Sequence, residues 1–175
     1  MFQRKNDPPK NVSANAAVSV DDAPINEITL KVRFGETDMA GVVHHSNFFH
    51  WLEVGRFELL SRLFANLLSD DEEENFFPVV KARCAYLQSA LFGDDIIVKT
   101  YIKKQLSTKI CLYYKVVKAS DPKKVLAVAS TEHVCVMNRK KLRLKWSPEI
   151  VEKIRMYTEK YPYVFVDGEE YEKKL

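Results

Sequence analysis

Residues 28–64 read I-T-L-K-V-R-F-G-E-T-D-M-A-G-V-V-H-H-S-N-F-F-H-W-L-E-V-G-R-F-E-L-L-S-R-L-F, and two periodicities meet inside them. From Ile28, I-T-L-K-V-R-F alternates apolar and polar side chains, the period-two pattern of a half-buried strand ending near Phe34. G-E-T-D-M-A-G-V-V-H-H-S-N then breaks the alternation with two glycines. Beyond it Phe48, Phe49, Trp51, Leu52, Val54, Phe57, Leu59, Leu60, Leu63 and Phe64 form a helix, expected over about 47–68 with Ser46 or Asn47 as its cap. So apolar a helix has to be wrapped by other structure.

The residues C-terminal to the helix are expected to supply that wrapping. After a solvated acidic loop, S-D-D-E-E-E-N at 69–75, four segments are rich in Val, Ile, Tyr and Cys: 76–88, 94–105, 109–119 and 124–138. F-G-D-D at 92–95 and S-D-P-K-K at 120–124 have the chemistry of tight connections, which predicts an antiparallel meander. S-P-E-I-V-E-K-I-R-M-Y-T-E-K at 147–160 places Ser at a cap and Pro in the first turn of a C-terminal helix. The expected class is α+β, an antiparallel sheet curled around one long helix. Residues 1–25 are expected as a flexible arm, 26–160 as the domain with its C-terminal helix, and 161–175 as a tail.

A chain of 175 residues suits one core. At 46% hydrophobic and 29% charged, with no apolar run long enough for a bilayer, no membrane span is expected. The first residues lack the apolar centre of a secretory signal, so the cytoplasm is the expected compartment. Cys84, Cys111 and Cys135 have neither zinc-ligand nor disulfide-framework spacing. The net charge of +3 is spread out, and no nucleic-acid partner is called for.

Residues 32–60, V-R-F-G-E-T-D-M-A-G-V-V-H-H-S-N-F-F-H-W-L-E-V-G-R-F-E-L-L, resemble the N-terminal signature of the 4-hydroxybenzoyl-CoA thioesterase family, including its YbgC-type acyl-CoA thioesterases. F-P-V-V-K-A-R-C-A-Y-L-Q-S-A-L-F-G-D-D-I-I-V at 77–98 is similar to that family's second strand, Gly-Asp turn and third strand. The resemblance implies the hotdog fold, hydrolysis of an acyl- or aryl-CoA thioester to free acid and CoA, and no cofactor. It also implies a homodimer or homotetramer whose sites lie between subunits. Asp38 falls where the family carries its nucleophile or general base, and His45 aligns with a YbgC-type histidine. His44 stands where relatives carry an aromatic residue, which suggests substrate shaping.

The chemistry fits the placement. Thioester hydrolysis needs a carboxylate near the carbonyl carbon and donors at the developing oxyanion. A loop entering a helix N-terminus supplies both, with the amides near His45 and Ser46 as donors. Gly41 would let substrate approach the backbone, so bulk there is expected to block the site. Val43 and Phe48 complete the expected substrate-binding set. Against this stands the plain reading of Asp38 as a turn aspartate. His44, His45, His50 and Asp38 have no metal-ligand spacing, and no metal is expected. Glu53 and Glu58 read as an ion-paired helix face with Arg56. Lys103, Lys104 and Lys109 flank the hairpin where relatives meet CoA phosphates, but Q-L-S-T-K replaces their arginine-containing version, so no such contact is assigned. Rival functions are a carrier-protein thioesterase and a non-catalytic hotdog module that binds an acyl ligand or assembles a complex. A hotdog dehydratase is disfavoured by the Asp-containing loop.

Overall fold

The structure, a computed structural model, describes residues 24–64, 75–104, 108–137, 141–142, 146 and 148–175. The expected arm up to residue 23, any helix beyond 64 and the acidic residues 69–74 lie outside the described residues. In chain order the elements are strand β1 (Glu27–Lys31), helix α1 (His45–Phe64), strands β2 (Asn75–Phe76), β3 (Val79–Tyr86), β4 (Asp95–Lys103), β5 (Lys109–Lys118), β6 (Asp121–Val134), β7 (Val136–Met137) and β8 (Lys141–Leu142), helix α2 (Pro148–Lys160), strand β9 (Phe165–Val166) and short helix α3 (Glu169–Glu172). The main sheet has the order β1-β4-β5-β6-β3 with antiparallel neighbours, and β9 runs parallel to the end of β4 that β1 leaves open. β2, β7 and β8 form a small second sheet. A sheet curled about one long helix is the hotdog architecture.

Two boundaries differ from expectation. β1 stops at Lys31, because Phe34–Glu36 winds into a 3-10 turn whose Glu36 carboxylate accepts the Arg33 N–H at 2.7 Å. The four later strands exist, but they are not a meander: β3 pairs with β6 and forms the sheet edge. Only β4–β5 and β5–β6 are sequential neighbours. Residues 87–94 cross from β3 to β4, and the F-G-D-D turn contacts the end of β1, with Gly93 N–H on Val32 O at 3.0 Å. Turn chemistry marks where the chain bends, not which strand it returns to.

Helix α1 lies on the inner face. Its buried Phe48, Trp51, Leu52, Leu59 and Leu63, on one face of the helix, meet Ile96, Val98, Leu112, Tyr114 and Val116 of the sheet in one core. Contact is closest at Gly55, where a Cβ would stand 2.8 Å from Thr100 Oγ1 and 3.0 Å from Val98 Cγ1. The sheet thus packs against helix backbone there. On the opposite side Phe49, Val54 and Phe57 are 37%, 47% and 61% exposed, so the protomer's own sheet wraps only part of the helix.

Residues 161–175 do more than trail. Val164 and Phe165 are buried, and Tyr171 is buried against the rings of Tyr113 and Tyr101 on the outer face of the sheet. Tyr113 O–H donates to Glu172 at 2.5 Å. A two-residue strand and a four-residue helix have too little periodicity to be recognised in sequence. Among the described residues no helix is long and apolar enough to cross a membrane.

One polar chain crosses the core. Arg56 Nη1 lies 3.1 Å from His133 Nδ1, His133 Nε2 lies 2.8 Å from Thr131 Oγ1, and Tyr114 O–H shares that oxygen at 2.8 Å. The Phe77 carbonyl is also 3.1 Å from Nδ1. One nitrogen cannot accept from the guanidinium and donate to the carbonyl at once, so the ring's tautomer decides the direction of the chain. Burial pushes the imidazole below its ordinary range and Arg56 adds to this, while Phe77 O works against it. A depressed histidine gives stability that is present above the unfolded value near 6.5 and lost as pH falls toward the folded value. Lowering pH from about 7.5 to about 5.5 therefore reduces the melting temperature of the wild type more than that of His133→Gln, whose side chain does not titrate. Parallel thermal melts across that interval check this.

Candidate active site

Asp38 sits at the tip of a narrow β-finger. At its base the His44 N–H bonds Glu36 O at 2.9 Å, and Thr37 bridges Val43. Toward the tip Asp38 N–H bonds Val42 O at 2.9 Å and Gly41 N–H bonds Asp38 O at 3.0 Å. Gly41 has φ +74°, so the finger closes with a left-handed residue, as three-residue hairpin loops do. The Asp38 carboxylate is exposed and accepts the Ala40 N–H at 2.8 Å, a local Asx contact. The turn role and an outward-facing carboxylate therefore coexist in one residue. Val43 N–H on Ala90 O at 2.9 Å and a bridge from Val42 to Leu91 brace the finger against the β3–β4 crossover.

Helix α1 begins directly beyond the finger. Its first residue, His45, has a main-chain N–H with no hydrogen-bond partner among the described residues. The Ser46 N–H has only the His44 Nδ1 at 3.4 Å, while the Ser46 hydroxyl lies 2.8 Å from the same nitrogen. Asn47 N–H already bonds His44 O at 3.0 Å. The first turn thus presents two weakly held donors at the positive end of a twenty-residue helix. The His44 and His45 rings lie tilted at 39° with centroids 4.1 Å apart, and the His45 and Tyr86 rings meet in a T-shaped contact at 6.2 Å. Tyr86 O–H donates to His45 O at 3.2 Å, and its ring packs on Phe48 at 5.2 Å. Burial, with Cys84 alongside, pushes the Tyr86 phenol up to about 12, so it stays a donor. Val43 and Phe48 are themselves buried and form the floor beneath this surface.

Finger and helix are joined through Glu36. Its carboxylate is buried, 7% exposed, and takes Arg33 N–H at 2.7 Å, Arg33 Nη2 at 3.0 Å and the Trp51 indole N–H at 3.1 Å. Its carbonyl accepts the Asn47 side-chain amide at 2.7 Å besides the His44 N–H. Burial alone would raise this carboxyl, but the Arg33 and Trp51 donors outweigh it and hold the group below its ordinary range. An exposed carboxylate on a finger that runs into weakly held helix-terminal amides supplies the two kinds of group that thioester hydrolysis uses, a base or nucleophile and oxyanion donors.

Residues 32–154 match the family model described as the Thioesterase-like superfamily. The chain belongs to that superfamily. The Bacillus subtilis protein named "Putative acyl-CoA thioesterase YneP" is 31% identical over 113 residues, 64% of this chain and 80% of that protein. A 1,4-dihydroxy-2-naphthoyl-CoA hydrolase of Nostoc punctiforme is 30% identical over 122 residues, 69% of this chain and 80% of the relative. Among solved structures, a hypothetical protein of Thermus thermophilus, TT1821, superposes with a TM-score of 0.65 at 27% identity, covering 75% of this chain and 98% of that one. A 1,4-dihydroxy-2-naphthoyl-CoA thioesterase of Synechocystis shares the fold at a TM-score of 0.62 and 23% identity, covering 76% and 96%.

Within this thioesterase frame the sequence-derived candidates Asp38, Gly41, Val43, His44, His45, Ser46 and Phe48 all fall on the finger or the first turn of α1. Glu36, Asn47, Trp51 and Tyr86, which contact the finger or the first turn, are not among those candidates, although Asn47 is the expected helix cap. For Glu36 the Arg33-x-x-Glu36 spacing was a cue; Tyr86 approaches from a distant strand and leaves no local signal. Glu53 and Glu58 are ion-paired to Arg56 and Arg62 at 3.2 and 2.7 Å. Lys103, Lys104 and Lys109 pair with Glu172, Asp167 and Glu132. Among the described residues no three His, Cys, Asp or Glu side chains gather as a metal site.

Gly41 carries a backbone constraint besides the substrate approach expected of it. No protein atom lies within 4 Å of a Cβ built on it, so that space is open, and the positive φ by itself favours glycine. An L-residue there costs about 1–2 kcal/mol, less for Asn, which tolerates this region. Thioester hydrolysis should therefore rank wild type, then Gly41→Asn, then Gly41→Ala, then Gly41→Val. Steric blocking would place the larger Asn below Ala, and a thiol-release assay on the three variants separates the two accounts.

Proposed function

We propose that this protein hydrolyses acyl- or aryl-CoA thioesters to the free acid and CoA, with Asp38 as the catalytic carboxylate and the His45 and Ser46 amides as the oxyanion hole. The observation that carries the proposal is the adjacency of finger and helix: the finger that exposes Asp38 leads, without an intervening loop, into the first turn of α1, where the His45 N–H has no partner among the described residues and the Ser46 N–H is only weakly held. As attack begins, the thioester carbonyl oxygen gains negative charge, and amides already in place stabilise it without reorganisation. Asp38 either attacks the carbonyl carbon, forming a mixed anhydride as the CoA thiolate leaves, which water then opens to the acid and free Asp38, or removes a proton from a water that attacks the carbon with loss of the same thiolate. His45 gives the departing thiolate its proton in this reading. The aromatic floor of Phe48 and Tyr86, with Phe34 and Phe92 edge-to-face at 5.8 Å nearby, favours an aryl group as the first acyl class to test. Relatives named for 1,4-dihydroxy-2-naphthoyl-CoA support the same choice.

The active form in this proposal is a homodimer joined at β3. That strand is a sheet edge of eight residues, with Val79 and Val80 about half exposed, beside the uncovered Phe49, Val54 and Phe57 of α1. An apolar edge of this length invites pairing, and a second copy presents the same surface back to it. The cytoplasm is the proposed compartment, whose reducing conditions would keep Cys84, Cys111 and Cys135 as thiols.

A thiol-release screen over short, long and aryl acyl-CoAs tests the activity. Asp38→Asn is expected to lower turnover by about a hundredfold or more while the fold is kept. Absence of release from every thioester, with carrier-protein thioesters included in the screen, rejects the enzyme, and faster turnover of the carrier-protein form reassigns the substrate. For the assembly, sedimentation should give a particle of two 20.3 kDa chains, and Phe57→Glu should shift it to one.

A further inference from the structure

Asp38 carries nothing that fixes its own position toward the helix. Its side chain is exposed and bonds within its own turn, so its placement is inherited from the base of the finger. The base is closed by one ring of interactions centred on Glu36, two residues before Asp38. The carbonyl of Glu36 holds the His44 N–H, one residue before the first helical amide, and the Asn47 side chain in the first turn of α1. Its carboxylate holds Trp51, one turn further along the helix, and both the main chain and the guanidinium of Arg33 on the β1 side. The finger's other support, Val43 on Ala90 with the Val42–Leu91 bridge, lies on the crossover side and would act as a pivot if the Glu36 clamp were released.

Building on the thioesterase reading of Asp38, we infer that Glu36 is a positioning residue for catalysis, setting the separation between the Asp38 carboxylate and the His45 and Ser46 amides. Loss of the clamp moves one side of the site relative to the other. Ground-state binding, made by the aromatic floor, is left largely intact, whereas the attack geometry is not. Displacements of about 1 Å at a reacting centre cost up to about a hundredfold in rate.

Two substitutions test this without emptying the core. Glu36→Gln keeps the shape but turns one terminal oxygen into an NH2, which must face donors from Arg33 or Trp51. Trp51→Phe keeps an aromatic ring in the core and removes the indole N–H from Glu36 Oε1 together with the second ring's volume, a packing loss that the folded fraction reads separately. With the aryl- or acyl-CoA most rapidly cleaved by wild type, kcat per folded chain should fall about 10- to 100-fold for Glu36→Gln and about 3- to 10-fold for Trp51→Phe, with KM within about twofold. Circular dichroism gives the folded fraction, so Trp51→Phe still reads the clamp if Glu36→Gln folds poorly. Wild-type kcat in folded Trp51→Phe and Glu36→Gln, or a raised KM at unchanged kcat, overturns the inference. Asp38→Asn run alongside separates the two claims: if it is inactive while both clamp variants keep wild-type kcat, only the positioning role fails. If Asp38→Asn itself keeps wild-type kcat, the catalytic role of Asp38 fails.

Discussion

The burial of α1 against the inner face of the sheet is the constraint on which the rest depends. An isolated helix this apolar would not stay in water, and no single strand could cover it. Strands from both ends of the chain are therefore drawn around it, β1 from before the helix and β3 to β6 from after it. The approach is close enough at Gly55 to put helix backbone against Thr100 and Val98, where any side chain would have to displace the sheet. A rod seated at that depth has little freedom to slide or rotate, and its N-terminus becomes a fixed point in the molecule.

That fixed point gives the site its accuracy. Residues before α1 have to leave the sheet, turn and enter the helix within a short span, and the Thr37–Val43 finger is how the chain does so. Because the His44 N–H is spent on Glu36 O, the next amides, those of His45 and Ser46, are the weakly held ones that the proposed mechanism uses. The donors arise from how the helix starts, and the carboxylate from how the preceding turn is built. Neither requires a dedicated catalytic loop.

Local periodicity made β1, α1 and the finger legible in the sequence. The alternation at Ile28 and the dense apolar run after Phe48 marked the two elements, and the break between them marked the finger, because each pattern is written within a few residues. Strand order was not legible. β3 pairs with β6 across more than forty residues, and the alternating pattern of an edge strand is the same whichever neighbour it takes. The same limit hid Tyr86, whose contact with His45 depends on that pairing, and the docking of Tyr171 on Tyr113. At Gly41 the positive φ was not legible, since a left-handed turn and a close approach both select glycine and look alike in sequence.

The exposure of Asp38 is itself informative. A buried carboxylate suits a static role, and Glu36 shows it: surrounded by donors, it has its lone pairs satisfied and is held below its ordinary range, with no capacity left for a substrate. Asp38, two residues on, spends one oxygen on the Ala40 N–H and keeps the remainder free. The chain thus places two carboxylates side by side and divides the work by environment, one satisfied by the fold and one left open toward solvent. Rigidity and reactivity compete within a single residue, since every hydrogen bond that fixes a carboxylate also lowers its basicity. In the proposed mechanism, assigning them to neighbours on one hairpin resolves that conflict, and the short ring from Glu36 to His44 is what would carry the order of the first to the second.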